Sequence, residues 1–303
     1  MSVEMNPKGF KVDFTGVGFP KCGTTWISKC LREHPDIDFS KTKETDCFVT
    51  DELKIYITRG SRISTMKEYI KEFKNDGRIK GEFSVRYIFD KKALKKIRTT
   101  FPDIKILICI RDPVQYLYSS YWFLRYSHLS HEIPATFEGI FNYKNGRHMC
   151  NIMYGKFSDF VAEVYKLFPK EKIHVIVHDD IKNDSKKVTK ELYEFLGVDP
   201  SFIPSTVNRK VNWTRSPKSP IISKSVFALV KTLEYIGLGK LTYGLFRRDN
   251  PLKLFYRKHL LVDRKYPAIN KQTEKKLRKL LLKDIGKLEK LVGRDLSTWK
   301  NKN

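Results

Sequence analysis

The residues best suited to chemistry lie near the N-terminus, in the segment GVGFPKCGTTW from Gly16 to Trp26. Gly18 and Gly23 have the spacing of the two glycines in the phosphate-binding motif GxxxxGK[ST]. Thr24 occupies the position of that motif's lysine, and Lys21 lies three residues earlier, inside the loop. The pattern predicts a loop whose backbone N–H groups bind phosphate, without the lysine that ATP hydrolysis requires.

A second group of residues follows the apolar run KILICI. Arg111, Asp112 and Pro113 come directly after it, and Ser119 lies eight residues beyond Arg111. A guanidinium group binds phosphate through paired hydrogen bonds, and a serine hydroxyl one or two helical turns later can add another. Asp112 has a second interpretation as a helix cap. Taken alone, this segment therefore indicates a phosphate site only weakly.

Strand-like and helix-like segments alternate along the chain, and both motifs follow predicted strands. This alternation predicts an α/β fold with a P-loop-like central parallel sheet, flanked by helices on both faces. Open sheets of this kind bind ligands at the carboxyl ends of their strands. The predicted strands are residues 12–19 (with the turn that follows), 79–83, 105–110 and 173–177; the predicted helices are 24–34, 90–99, 156–167, one ending at 191–196, and 271–292.

Composition excludes some classes of protein. The apolar fraction of 41% rules out intrinsic disorder. The net charge of +25 fits a polyanionic ligand, but a lysine-rich composition explains it equally well. No uninterrupted apolar window of membrane-spanning length and no apolar leader segment is evident, and the five cysteines form no CxxC pair. We therefore expect a cytoplasmic protein with no disulfide framework, no structural zinc and no nucleic-acid partner.

Together the two motifs resemble those of the sulfotransferases that use 3′-phosphoadenosine 5′-phosphosulfate (PAPS), in the style of the bacterial and carbohydrate-type enzymes. In that family a PKxGTTW-like loop binds the 5′-phosphosulfate, and an RDP…S segment binds the 3′-phosphate. The resemblance implies PAPS as donor, adenosine 3′,5′-bisphosphate as product and no metal. The donor-binding residues that it implies are Lys21, Cys22, Gly23, Thr24, Thr25, Trp26, Arg111, Ser119, Asn208, Arg209 and Arg215.

Weaker similarities extend over most of the chain. Residues 81–84 (GEFS) resemble a GEAS-type segment, and residues 195–198 (FLGV) resemble the family's FLG turn. Residues 208–216 resemble the late basic loop over the adenosine, and residues 293–299 (GRDLSTW) resemble the end of the last helix. The resemblance therefore implies a single sulfotransferase domain over residues 1–303.

The resemblance also implies catalytic roles. Lys21 is expected to act on the leaving 5′-phosphate. Glu44, in the segment KETDCF, matches the glutamate of the KE-x-x-FF segment of carbohydrate sulfotransferases, which is their proposed base. Its alternative interpretation is a solvated surface acid. The cytosolic aryl and steroid enzymes use a histidine between the two motifs, and here no histidine lies between His34 and Arg111.

Two departures from the family pattern leave roles open. Phe83 stands where the carbohydrate enzymes often carry a lysine, and Lys41, Lys43 and Arg86 are the candidates to replace it. His128 and His131 follow the second motif, so we expect acceptor-side or surface positions for them. They are the next candidates for the base if Glu44 is not.

The function implied is sulfuryl transfer to a hydroxyl or amine of an acceptor, with a carbohydrate or lipid-linked glycan favoured. The alternative enzyme is a P-loop nucleotide-dependent kinase, which would need a lysine at position 24. A nucleic-acid-binding module is an alternative of another class, and it leaves both motifs unexplained. Residues 220–262 combine apolar and basic residues. One interpretation of this pattern is core packing. The other is a mobile acceptor-side helical cover that contacts an anionic membrane surface.

Overall fold

The computed structural model forms two compact units, described here separately. The first comprises Met1–Tyr116, Lys156–Asn212 and Arg278–Asn303, and the second comprises Leu117–Gly155 and Trp213–Leu277. The residues that the structure describes are 9–50, 63, 65–126, 132–146, 148–207, 215–217, 225, 228–229, 232–233, 235–236, 261–263 and 266–300.

A five-stranded parallel sheet forms the centre of the first unit. Its strands lie in the order β2-β3-β1-β4-β5, and every neighbouring pair is parallel. The predicted fold class is therefore confirmed. The strands are β1 (Phe14–Gly18), β2 (Ile37–Phe39), β3 (Ile79–Phe83), β4 (Lys105–Ile110) and β5 (Ile173–Val177).

The helices begin and end where the local sequence supplies caps. Asp90 accepts hydrogen bonds from the first turn of α3, and Gly197 ends α7 in the left-handed conformation at φ 82°. The helices are α1 (Thr24–Glu33), α2 (Met66–Ile70), α3 (Lys91–Thr100), α4 (Pro113–Arg125), α5 (Phe157–Leu167), α6 (His178–Asn183), α7 (Ser185–Leu196), α8 (Lys271–Val292) and α9 (Ser297–Lys300). Within the described residues, no helix has the length and apolar character to cross a membrane.

The strand β1 lies at the point where the chain changes direction across the sheet. From β1 the chain runs to β2 and β3 on one side, and it then crosses to β4 on the other side. Thr15 of β1 pairs in register with Glu82 of β3 and with Ile106 of β4. Since the pairs are parallel, the chain leaves β1, β3 and β4 at the same edge of the sheet. Ligands of open α/β sheets bind at such an edge.

Phenylalanine rings of β1 and β3 pack over glycines of the neighbouring strand. A Cβ atom placed on Gly16 would lie 2.3 Å from the Phe83 ring, and one placed on Gly81 would lie 2.0 Å from the Phe14 ring. Both rings are completely buried. The aromatic side chains thus cover neighbouring glycines and fill the space that two further side chains would occupy.

The second unit contains a short antiparallel pair and a group of aromatic side chains. Strand β6 (Arg215–Pro217) pairs with β7 (Leu261–Asp263). The Tyr118 hydroxyl donates to the Pro267 carbonyl at 2.7 Å, and the Trp122 and Tyr266 rings stack at 6.1 Å. Most of residues 220–262 lies outside the described residues, so the acceptor-side cover and its lipid contact remain predictions.

A buried ion pair joins the end of β4 to α8. Arg278 donates to Asp112 at 3.0 Å and to the Trp299 carbonyl at 2.5 Å. The side chains of Arg278 and Asp112 are 7% and 1% exposed. Asp112 also accepts from the Val114 backbone N–H at 3.0 Å, so it caps α4 as one sequence interpretation predicted. The residue after Arg111 is thereby held by both a helix and an ion pair.

We predict that Arg278→Met lowers the free energy of unfolding by about 3–5 kcal/mol, because it leaves the Asp112 carboxylate buried without its cation. Arg294→Met is the matched control, since Arg294 pairs with Asp180 at 2.5 Å on the surface. Its loss should cost less than about 1 kcal/mol. Urea unfolding followed by circular dichroism measures both. Equal midpoints for the two variants would contradict the assigned role of the buried pair.

Candidate active site

The loop between β1 and α1 has the backbone geometry of an anion-binding turn. Gly23, the N-cap residue of α1, has φ 92°, and no side chain caps the first turn of this helix. A Cβ on Gly23 would lie 2.9 Å from Ile181 Cδ1, so both conformation and space require glycine. Lys21 also adopts a positive φ of 63°, which is costly for a residue with a side chain. The loop thus presents the N-terminal end of α1 with its positive dipole.

Cationic side chains converge on this loop. Arg111, which follows β4, donates from Nη1 to the Lys21 carbonyl at 3.2 Å. Burial, together with the positive charges of Arg111 and Lys43, lowers the pKa of the Lys21 ammonium to about 8. Groups of like charge repel each other unless an anion lies among them. The arrangement is therefore suited to a ligand with several negative charges.

A carboxylate lies beside this cationic group. Lys43 Nζ donates to Glu44 Oε1 at 2.8 Å and to the hydroxyl of Thr24, the first residue of α1, at 3.4 Å. Arg86 Nη1 lies 3.9 Å from Glu44 Oε2. The Glu44 side chain is 32% exposed, so solvent reaches its carboxylate although this group is paired with Lys43. The predicted phosphate loop and the predicted base are thus brought together.

The backbone after Glu44 is held by ion-pair and hydrogen-bond contacts. Asp46 is 2% exposed and accepts two hydrogen bonds from Arg86, one of them from Nε at 3.2 Å. The Asp46 backbone N–H donates to Ser84 Oγ at 3.0 Å. These contacts tie the loop that carries Glu44 to the residues that follow β3.

Beneath this loop lies a completely buried acid, Glu82. Its carboxyl accepts hydrogen bonds from Thr15 at 2.8 Å, from Ser84 at 2.6 Å and from Thr45 at 3.3 Å. Burial raises the pKa of Glu82 to about 7, although these hydroxyl donors act in the opposite direction. The carboxyl therefore joins β1, β3 and the Glu44 loop through one group.

Comparison with known proteins identifies the family. Residues 12–281 match the model of the sulfotransferase domain. This chain belongs to the sulfotransferase domain family. It is 22% identical to human carbohydrate sulfotransferase 15 over 264 residues, covering 67% of this chain and 46% of that protein. The rat protein of the same name is 22% identical over 261 residues, with the same coverage. The chain thus spans about half the length of the curated relatives that it matches.

The fold of the sulfotransferase also resembles a solved structure, the sulfotransferase from Alicyclobacillus acidocaldarius. The TM-score is 0.68, with 21% sequence identity, and the match covers 96% of this chain and 100% of that chain. At this identity the likeness supports the fold. It confirms the P-loop-like α/β architecture that the sequence predicts.

The structure adds one residue to the site that the sequence analysis missed. His178 follows β5, and its Cδ2 atom would lie 3.2 Å from a Cβ on Gly23. Burial lowers the pKa of His178 and the positive charge of Arg111 acts in the same direction, while the Asp179 carboxylate, 3.9 Å from Nδ1, raises it. His178 thus contributes a neutral imidazole next to the loop. Its position directly after a predicted strand was the signal that could have found it.

The other predicted donor-binding residues of the first motif lie in the same loop and in the first turn of α1. Thr24 and Trp26 are buried in α1, and the Trp26 indole donates to the Thr206 carbonyl at 3.1 Å. Cys22 is completely buried, and burial raises the pKa of its thiol. Thr25 is half-buried.

Several predicted residues stay untested by the structure. Ser119 is a buried residue of α4 in the second unit, and Arg215 begins β6. Asn208, Arg209, His128 and His131 lie outside the described residues. Among the residues that the structure describes, no group of three or more His, Cys, Asp and Glu residues is arranged to hold a metal ion. The donor contacts of these residues remain predictions.

We predict that Glu82 makes the stability of the sulfotransferase depend on pH. The folded protein holds the Glu82 proton more tightly than the unfolded chain does, so the free energy of unfolding falls as the pH rises from about 4.5 to about 7. The loss is about 3 kcal/mol, and it is complete above pH 7. Glu82→Gln has no proton to lose there. The difference between the urea midpoints of variant and wild type should therefore change across this window.

Glu191→Gln, on the half-exposed side of α7, controls for the loss of one carboxyl group. It should follow the wild-type pH dependence. A Glu82→Gln curve parallel to the wild-type curve from pH 4.5 to pH 7 would show that Glu82 is not the group responsible.

Proposed function

We propose that this sulfotransferase moves a sulfuryl group from PAPS to a hydroxyl or amine of a carbohydrate or a lipid-linked glycan. The observation that carries the proposal is the convergence of Lys21, Lys43 and Arg111 on one loop, with the Glu44 carboxylate in contact with Lys43. A cationic site holds a phosphorylated donor, and a carboxylate beside it activates an acceptor. The residues suited to donor binding are thus adjacent to the residue suited to acceptor activation.

The residues present fit a donor of this charge. PAPS carries phosphate and sulfate groups, and Lys21 and Arg111 lie at the end of α1, where anions are stabilised. The lowered pKa of Lys21 indicates that its positive charge is disfavoured without an anion. A bound anion raises the pKa again and stabilises the charged ammonium. Lys21, Gly23, Thr24 and Thr25 would hold the phosphosulfate end, and Arg111 would hold a second phosphate.

The bound donor supplies the sulfuryl group and a phosphate leaving group. Glu44 accepts the proton of the acceptor hydroxyl at Oε1 or Oε2, which makes the oxygen nucleophilic. Lys21 stabilises the negative charge that develops on the leaving phosphate oxygen. The N-terminal end of α1 acts in the same direction, because its dipole is already oriented.

The acceptor class is supported by relatives and by exposure. The relatives in human and rat are named carbohydrate sulfotransferases. Glu44 is reached from solvent, so a large acceptor can approach its carboxylate. A carboxylate base also suits an aliphatic sugar hydroxyl. These observations favour a glycan acceptor over a small phenol.

We predict that adenosine 3′,5′-bisphosphate raises the melting temperature of the protein more than AMP does, because Arg111 is assigned to the 3′-phosphate. Arg111→Ala should remove this preference while retaining the fold. Thermal shift at equal ligand concentrations measures both. Equal stabilisation by the two nucleotides would contradict the assignment, and stronger stabilisation by ATP with magnesium-dependent transfer would favour a kinase.

We predict that Glu44→Gln lowers kcat by at least about 100-fold and leaves the Kd for adenosine 3′,5′-bisphosphate within about threefold, because Glu44 acts on the acceptor. Lys21→Ala should lower kcat more than donor affinity, because its charge matters most as the leaving group develops charge. Transfer from labelled PAPS to a panel of glycans measures kcat.

The matched control for Glu44 is Glu171→Gln, which removes an exposed carboxylate and should leave kcat unchanged. Near-normal turnover in Glu44→Gln would show that Glu44 is not the base. His128 and His131 would then be the next candidates to substitute.

A further inference from the structure

We propose that Lys43 is a positioning residue that couples the base Glu44 to the donor loop. This inference rests on the proposed function, because it assigns a role within the same reaction. The observation that carries it is the position of the Lys43 ammonium group, which lies between Thr24, at the start of α1, and the Glu44 carboxylate.

The contacts of Lys43 are those of a fixed group. Its side chain is only 11% exposed, and its ammonium lies 5.8 Å from the centre of the Phe83 ring. The hydrogen bond to Glu44 joins two charges at 2.8 Å in this partly dry environment, where such bonds are stronger than in water. The Phe83 backbone N–H donates to the Lys43 carbonyl at 3.3 Å, so its main chain is tied to β3. Both ends of the residue are therefore held.

The structure distinguishes Lys43 from the other two cations considered for this role. Lys41 is exposed, and its ammonium donates to the Lys71 carbonyl at 2.6 Å. Arg86 directs two hydrogen bonds to Asp46 and approaches Glu44 only to 3.9 Å. Lys43 alone of the three contacts both Glu44 and a residue of α1. The geometry thus selects one of three residues that the sequence leaves equivalent.

The placement of Lys43 has two physical consequences. Its hydrogen bond restricts the rotamers of Glu44, so the carboxylate is held where the donor loop ends. Its charge also acts on Lys21: burial, Arg111 and Lys43 lower the pKa of Lys21, whereas the nearby Cys22 raises it. Removing the charge of Lys43 should therefore affect turnover through Glu44 and affect anion binding through Lys21.

The first measurement separates turnover from binding. Lys43→Met should lower kcat about 100-fold, the cost of a displaced catalytic group, and raise the Kd for adenosine 3′,5′-bisphosphate less than about tenfold. Lys43→Arg keeps the charge and should recover part of the loss. Lys41→Met removes a lysine from the same loop and should leave kcat and Kd within about twofold of wild type.

A double variant tests whether Lys43 acts through Glu44. If it does, Lys43→Met combined with Glu44→Gln should be no slower than Glu44→Gln alone. Multiplicative losses would show that Lys43 acts independently of the base and would overturn the positioning role.

The second measurement does not depend on turnover. Calorimetry should show the affinity for adenosine 3′,5′-bisphosphate falling as the pH rises through about 8, because Lys21 then loses its charge. In Lys43→Met this fall should move to higher pH, since one cation that lowers the Lys21 pKa is absent. Lys41→Met should retain the wild-type curve.

The outcomes distinguish the two proposals. If Lys43→Met keeps kcat within threefold and the pH curve does not move, the role of Lys43 is wrong while the proposed function stands. If Lys41→Met loses turnover instead, the choice among the three cations is wrong. If wild-type protein neither binds adenosine 3′,5′-bisphosphate nor transfers from PAPS, the proposed function itself fails.

Discussion

The parallel alignment of β1, β3 and β4 is the constraint on which the site depends. Parallel strands send the chain out of the sheet at one edge, so the phosphate loop, the residues after Glu82 and Arg111 meet there although they are far apart in sequence. The contact between Arg111 and the Lys21 carbonyl spans 90 positions. Phenylalanine rings pack over glycines between β1 and β3, and the buried pair of Asp112 with Arg278 holds the residue beside Arg111.

The acidic and the cationic groups at this edge of the sheet lie in different electrostatic environments. Asp46 is paired with Arg86, and Glu82 accepts hydrogen bonds from the hydroxyl groups around it. Lys21, in contrast, experiences the charges of two other cations at close range. Such an arrangement costs free energy in the isolated protein, and a bound polyanion recovers it. If the proposed donor binds here, part of its affinity comes from relief of this repulsion.

Much of the framework could be predicted from sequence, because long apolar runs and clear caps mark it. Strands β3, β4 and β5 and helix α8 have the predicted bounds. Strand β2 was missed, since three residues are too few to show a period. The Glu82 network could not be found either, because its bond to Thr15 joins residues 67 positions apart. The choice among Lys41, Lys43 and Arg86 needed distances, since all three residues carry the same charge.

The residues assigned to the donor and the residue assigned to the acceptor are held in place by different structural elements. Lys21, Gly23 and Arg111 lie at the ends of buried strands and at the start of a helix, so their positions follow from the sheet itself. Glu44 lies on a loop that is held by side chains, through Arg86, Thr45 and Lys43, and by the main-chain hydrogen bond from Phe83 to the Lys43 carbonyl. A scaffold of this kind can keep one donor geometry while the loop that carries the base changes with the acceptor. If Glu44 is the base, as proposed, substitutions in this loop should lower turnover and leave donor binding intact, so turnover and nucleotide affinity can be measured separately.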